Sequence, residues 1–219
     1  MIPFIIIYCL FLCCYFVTRV GKNIKYRAIN KYIMAVMYMV YAIIQFQHFG
    51  LQSIEAILMA ALFLAFLGDI FLVFDLNRGG DFFLGGNICF VIYYLALYEK
   101  TGLAFADYWF VFVIWFVIYA AFIICSNKFP KVFKFGKMKF PMSFYLASIS
   151  MHGICGLGAM ILVPTTAGFV CGLGSLMFMI SDFILTTDKF IFPGHKWITR
   201  SNSFFYFIGL LLIVLSMGL

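Results

Sequence analysis

Two acidic residues stand inside apolar runs of this 219-residue chain. Asp69 lies in Phe66-Leu67-Gly68-Asp69-Ile70-Phe71-Leu72, and Asp182 lies in Met179-Ile180-Ser181-Asp182-Phe183-Ile184-Leu185. An ionised carboxylate at the centre of a bilayer costs at least about 2.5–3.5 kcal/mol, so an intramembrane acid is a functional candidate by default. In each run a small residue precedes the aspartate, and a second aspartate, Asp75 or Asp188, follows six residues later at the expected helix end. Six residues of helix span about 9 Å, which puts both acids at a similar depth below the same membrane face. Two carboxylates in a low-dielectric site repel, so one is expected to keep its proton and act as general acid while the other acts as base. Either aspartate fits either role. The competing reading is that each bonds a hydroxyl or amide of a neighbouring helix. Asp75 and Asp188 are weaker candidates, because interfacial acids also serve as ordinary helix-end residues.

Polar stripes accompany the acids. Tyr145, Ser148 and His152 fall on one helical face, as do Tyr38, Tyr41, Gln45 and His48. Such faces are expected to turn inward and line a cavity, which makes Tyr145, Ser148, His152, Tyr41, Gln45 and Ser181 substrate-binding candidates. Interhelical hydrogen bonding without catalysis is the plainer alternative. No His-x-x-x-His or His-Glu-x-x-His spacing is present, so no metal site is expected. Gly172-Leu173-Gly174-Ser175-Leu176 lacks the second glycine of a nucleophile elbow, and its glycines read as sites of close helix packing.

The elements that position these residues follow from composition. The chain is 66% hydrophobic and only 11% charged, against about a quarter charged in a soluble domain. The solvent for that apolar surface is lipid. The expected fold is all-α, a polytopic transmembrane bundle of about eight helices forming one integral membrane domain over 1–219. Apolar runs place the spans at about 2–17, 29–46, 54–74, 82–98, 107–125, 142–162, 167–187 and 203–217. The first run has no basic residue before it and no small-residue cleavage site, and reads as a retained helix. Cys9, Cys13, Cys14, Cys89, Cys125, Cys155 and Cys171 sit in or at the ends of these runs and read as small hydrophobes, not a disulfide framework.

Fourteen of the fifteen Lys and Arg residues fall on one side of this topology. Arg19, Lys22, Lys25, Arg27 and Lys31 follow the first helix, Arg78 the third, five lysines between Lys128 and Lys139 the fifth, and Lys189, Lys196 and Arg200 the seventh. Lys100 alone lies opposite. The positive-inside rule places the basic loops in the cytoplasm and both termini outside. The net charge of +7 therefore reads as a membrane-surface signal, with no nucleic-acid partner expected. The matched aspartate runs and basic loops also suggest two parallel four-helix halves, 1–103 and 104–219.

At the same residues the chain resembles the YhhN, or lysoplasmalogenase, family. The resemblance rests on Leu67-Gly68-Asp69-Ile70-Phe71-Leu72, Phe83-x-x-Gly86-x-x-x-Phe90, Phe178-Met179-Ile180-Ser181-Asp182-x-x-Leu185, and Tyr206 in the last helix. It implies an eight-helix membrane hydrolase that cleaves the vinyl-ether bond of lysoplasmalogens, giving a fatty aldehyde and a glycerophospho-ethanolamine or -choline. It also implies that Asp69 and Asp182 occupy the family's acidic positions. Three places depart from the family pattern: Tyr94 stands where a histidine is usual, Leu210 where a glutamine is common, and Lys31-Tyr32 where Lys-Pro opens the second helix. Tyr94 retains a hydroxyl able to donate a proton or a hydrogen bond.

Vinyl-ether hydrolysis suits two carboxylates, one protonating the β-carbon and the other stabilising the oxocarbenium ion and activating water. No cofactor is required. The expected partners are a lysophospholipid substrate within the bilayer and the surrounding membrane lipids. Lys31, Lys25 and Arg27 are candidates for the substrate phosphate, with topology determinants as the plainer reading. The membrane is the inner membrane in a bacterium or the endoplasmic reticulum in a eukaryote. The alternatives are a hydrolase of another ether or ester lysolipid, a small lipid or solute transporter, and a membrane protein whose aspartates only join helices.

Overall fold

The computed structural model describes residues 2–21, 24–51 and 53–219, with the side chains of Ile24 and Leu76 left aside. Eight α-helices form a bundle, with no strand among the described residues: α1 Ile2–Thr18, α2 Ile24–Phe46, α3 Ile54–Phe71, α4 Leu76–Lys100, α5 Phe105–Lys128, α6 Lys139–Leu162, α7 Thr166–Phe190 and α8 Lys196–Ser216. Seven are long and apolar enough to cross a membrane; α1 is a shorter apolar helix of 17 residues. The chain is a multi-pass helical membrane protein. Large apolar side chains point outward along the bundle, among them Phe63, Phe116, Val117 and Ile161, as a lipid-solvated surface requires.

Several helices begin earlier than hydropathy predicts. α4 starts six residues before Phe82, because Asp75 caps it: Oδ1 accepts from the backbone N–H of Asn77 at 2.8 Å and Arg78 at 3.5 Å. α8 starts seven residues before Ser203, and its first turns carry Arg200 and Asn202 into the bundle. Polar residues in these turns lower the hydropathy of the window without opposing helix formation. α3 stops at Phe71, where the chain turns sharply into α4. This corrects the expected matched offset. Asp69 lies two residues from the end of α3, whereas Asp182 lies eight from the end of α7.

Glycine brings the central helices into close contact. A Cβ on Gly174 would stand 2.6 Å from the carbonyl oxygen of Gly209, and one on Gly209 would stand 2.7 Å from that of Gly174. α7 and α8 therefore meet backbone to backbone. Consecutive helices pack backbone against backbone except α4 and α5, and further packing joins α4 to α6, α2 to α8 and α1 to α8. α5 packs mainly on α6, touches α4 where the Tyr108 and Tyr98 rings lie 5.0 Å apart between centroids, and buries only Tyr108, Val111 and Ser126. The connections after α1, α3, α5 and α7 gather at one end of the bundle. Arg200 Nε donates to the Phe16 carbonyl at 3.2 Å, and Lys134 N–H donates to that of Phe190 at 3.3 Å. Lys22 of the first basic cluster lies outside the described residues.

Candidate active site

Both aspartates line one small cavity of about 40 Å³ near this end of the bundle, walled also by Arg19, Lys31, Asn202 and Tyr206. Different helices supply the parts. α3 carries Asp69, α7 carries Asp182, α2 carries Lys31, and the extended first turns of α8 carry Asn202 and Ser203.

The surroundings of the two carboxylates differ. Asp69 is 1% exposed, and the Lys31 ammonium, itself 13% exposed, stands 3.0 Å from its Oδ1. Lys31 Nζ also donates to the Asp69 main-chain carbonyl at 3.3 Å. Asp69 Oδ2 accepts from Tyr206 at 2.8 Å and from Tyr38 at 3.3 Å. Oδ1 keeps the ion pair but accepts no hydrogen bond among the described residues. Asp182 Oδ2 accepts from Tyr145 at 2.6 Å. None of the ion pairs among the described residues includes Asp182. One buried acid is thus compensated by a cation and the other is not. A buried charge is tolerable only when paired and hydrogen-bonded, so the ion pair favours the charged form at Asp69 more than anything favours it at Asp182.

Arg19 and Lys31 bring two cations to the cavity. Arg19 Nε donates to Ser203 Oγ at 2.9 Å, and its guanidinium lies 5.9 Å from the Tyr15 ring centroid. The Lys31 ammonium, a candidate for the substrate phosphate, is engaged by Asp69. Asn202 Nδ2 donates to the Ser181 carbonyl at 2.8 Å, and Ser181 Oγ donates to that of Phe178 at 2.7 Å. Ser181 therefore braces α7 beside the acid and lines neither this cavity nor the larger one next to it.

A second polar cluster lies deeper and lines neither this cavity nor the larger one beside it. His152 Nε2 is 2.8 Å from Ser175 Oγ, and His152 Nδ1 is 3.2 Å from Asn87 Oδ1. Tyr94 OH is 2.6 Å from the same Ser175 Oγ, and Asn87 Nδ2 donates to Ser148 Oγ at 3.4 Å. Phe90 stacks on the imidazole at 4.1 Å between centroids. The Ser–His–Asn order matches a nucleophilic triad, but Ser175, His152 and Tyr94 are fully buried, and Tyr94 occupies the serine hydroxyl. The cluster joins α4, α6 and α7.

Of the remaining candidates, Tyr145 reaches Asp182. Tyr41 stacks on Phe4 at 4.1 Å, and the Gln45 amide lies against Gly218, both away from the acids. Asp75 is the α4 cap described above. Asp188 Oδ2 accepts from Thr199 Oγ1 at 3.0 Å, tying α7 to α8. The residues that spacing alone did not nominate are Arg19, Asn202 and Ser203. Their long-range partners leave no periodic mark; the basic cluster after α1 contained Arg19, and only the polar start of α8 hinted at Asn202 and Ser203.

A family model described as the YhhN family matches residues 26–217. The chain belongs to the YhhN family. No curated protein and no solved structure matches the chain. The match runs from the first turn of α2 to just past the end of α8, so both aspartates, Lys31 and Tyr206 lie within the YhhN region. So does Tyr94, at the place where the resemblance gives a histidine. In this YhhN protein an imidazole still enters the same polar cluster, from His152 on α6.

Proposed function

We propose that this protein is an intramembrane hydrolase of lysolipid vinyl-ether bonds, with Asp182 as general acid and Asp69 as general base. The observation that carries the reading is the pair of carboxylates on one cavity, of which only Asp69 is held by a cation. YhhN membership agrees with a lysoplasmalogenase-type activity.

In this mechanism Asp182 gives its proton to the β-carbon of the alkenyl ether, and the adjacent carbon and ether oxygen share the positive charge. The Asp69 carboxylate stabilises that oxocarbenium ion. Water adds to the α-carbon while Asp69 Oδ1, the oxygen without a hydrogen bond, takes its proton. The hemiacetal hydroxyl then returns a proton to Asp182, and Asp69 delivers its proton to the departing glycerol oxygen. A fatty aldehyde and a glycerophospho-alcohol leave, and both carboxyl groups regain their starting states. Tyr38, Tyr206 and Tyr145 hold the carboxyl groups in place.

The excess of Lys and Arg at the site's end supports a cytoplasmic mouth with both termini outside. The repeated packing order supports the two-half organisation: α1 to α4 pack in series as α5 to α8 do, and α4 meets α6 as α8 meets α2. In each half a tyrosine of the second helix reaches the aspartate of the third.

The test is aldehyde release from 1-alkenyl lysophosphoethanolamine by the purified full-length protein in detergent. Release by wild type, lost in Asp69→Asn and Asp182→Asn variants that keep their helical circular dichroism and thermal transition, is the expected result. A stable wild type that releases no aldehyde overturns the vinyl-ether reading and directs the same assay to other ether and ester lysolipids.

A further inference from the structure

A larger cavity of about 280 Å³ adjoins the carboxylate cavity. Leu84, Met142 and Phe190 contribute to its apolar wall, while Asn77, Asp81 and Lys189 are exposed at its rim. Three side chains, Leu72, Phe83 and Leu185, belong to both cavities. One layer of apolar residues therefore divides the two. Tyr145, whose hydroxyl bonds Asp182, is part of the larger cavity's lining.

The dividing layer is set by the residue before Asp69. A Cβ on Gly68 would stand 2.9 Å from the Phe83 ring, so the glycine lets that ring lie flush on the α3 backbone. Phe83 also meets Phe178 and Tyr206 edge to face, at 6.3 Å and 6.0 Å between centroids. The ring stands between the Asp69 partner Tyr206 and the apolar cavity.

Resting on the lysolipid reading above, we infer that the larger cavity seats the single hydrocarbon chain of the substrate. A one-chain amphiphile changes from apolar to polar at the bond that is to be cleaved. The protein has the same order: an apolar cavity, a partition, two carboxylates, then Arg19. The volume lies just below the usual range of ligand pockets, about 300 to 1,000 Å³, which suits a single chain. The chain's first carbons meet the Leu72–Phe83–Leu185 layer, the chain lies along Leu84 and Met142, and the glycerophosphate lies on the Arg19 side.

The experiment uses the full-length protein and a 1-O-alkyl lysophosphoethanolamine with a diazirine at the chain end. The saturated ether has no vinyl bond to hydrolyse, so seating is read independently of turnover. Photolabelled peptides containing Leu84, Met138, Met142 or Phe190 are expected, with loss of that labelling in Met142→Trp and its retention in Asp182→Asn. Unlabelled lysophosphoethanolamine of the same chain length should compete, and glycerophosphoethanolamine, which has no chain, should not. The competition arm needs no variant to fold. Labelling spread over lipid-facing residues such as Phe116 and Ile161, or competition by the chainless headgroup, overturns the inference. Cavity labelling without aldehyde release from the alkenyl lipid keeps the chain site and removes the vinyl-ether chemistry.

Discussion

At the residue scale the two aspartates were legible from the sequence, because an acid in an apolar run is costly enough to require a reason. Their partners were not. Lys31 lies 38 residues from Asp69 and Tyr206 lies 137 away, and no spacing rule links them. Lys31 also carried a satisfactory reading as a topology residue, which hid its pairing. Removing one member of a buried ion pair costs about 3–5 kcal/mol, so Lys31→Met should lower thermal stability in detergent strongly. Adding Asp69→Asn to it should recover much of that loss without recovering turnover, because the stranded charge is gone and so is the base. A double-mutant cycle read by thermal unfolding and aldehyde release separates the two. Tyr145→Phe removes the donor on Asp182, worth about 0.5–1.5 kcal/mol, and should slow aldehyde release up to about tenfold with little change in stability.

At the scale of elements, the number and order of helices were readable from apolar runs, and their starts were not. Hydropathy counts Asn77 and Arg78 against a span, whereas the backbone treats them as the first turn after an Asp75 cap. The same error shortened α8, leaving Asn202 outside the expected helix and Ser203 at its first position, both on the carboxylate cavity. The matched offset of the two acids dissolved because α3 ends earlier and α7 later than their apolar runs, while their meeting in one cavity did not, since that depends on packing and not on helix length. The contact of Gly174 with Gly209 yields a prediction at this scale. Gly209→Leu inserts a side chain where two backbones touch, and overpacking of this kind costs about 1–3 kcal/mol or more. A lowered unfolding temperature is expected, with Gly50→Ala unchanged, because a Cβ at Gly50 meets nothing within 4 Å.

At the scale of the molecule, the proposed orientation rests on loop charge. In a cysteine-free variant, a cysteine placed at Lys137 should react with an impermeant maleimide only from the cytoplasmic side, and one placed at Lys100 only from the opposite side. The reverse labelling would turn the proposed site to the outer face. The overall class was legible because composition alone identifies lipid as the solvent, but the arrangement of cavities was not, since it arises from helices far apart in the chain.

The Lys31–Asp69 pair also bears on how the chain enters its membrane during synthesis. The two residues sit on neighbouring, mutually packed helices. A translocation channel that released α2 and α3 singly would commit a lone ammonium and then a lone carboxylate to hydrocarbon. Released together as a hairpin, the two segments carry no net charge at that depth. The contact that pairs the Asp69 carboxylate with a cation therefore also favours partitioning of this part of the nascent chain as a unit.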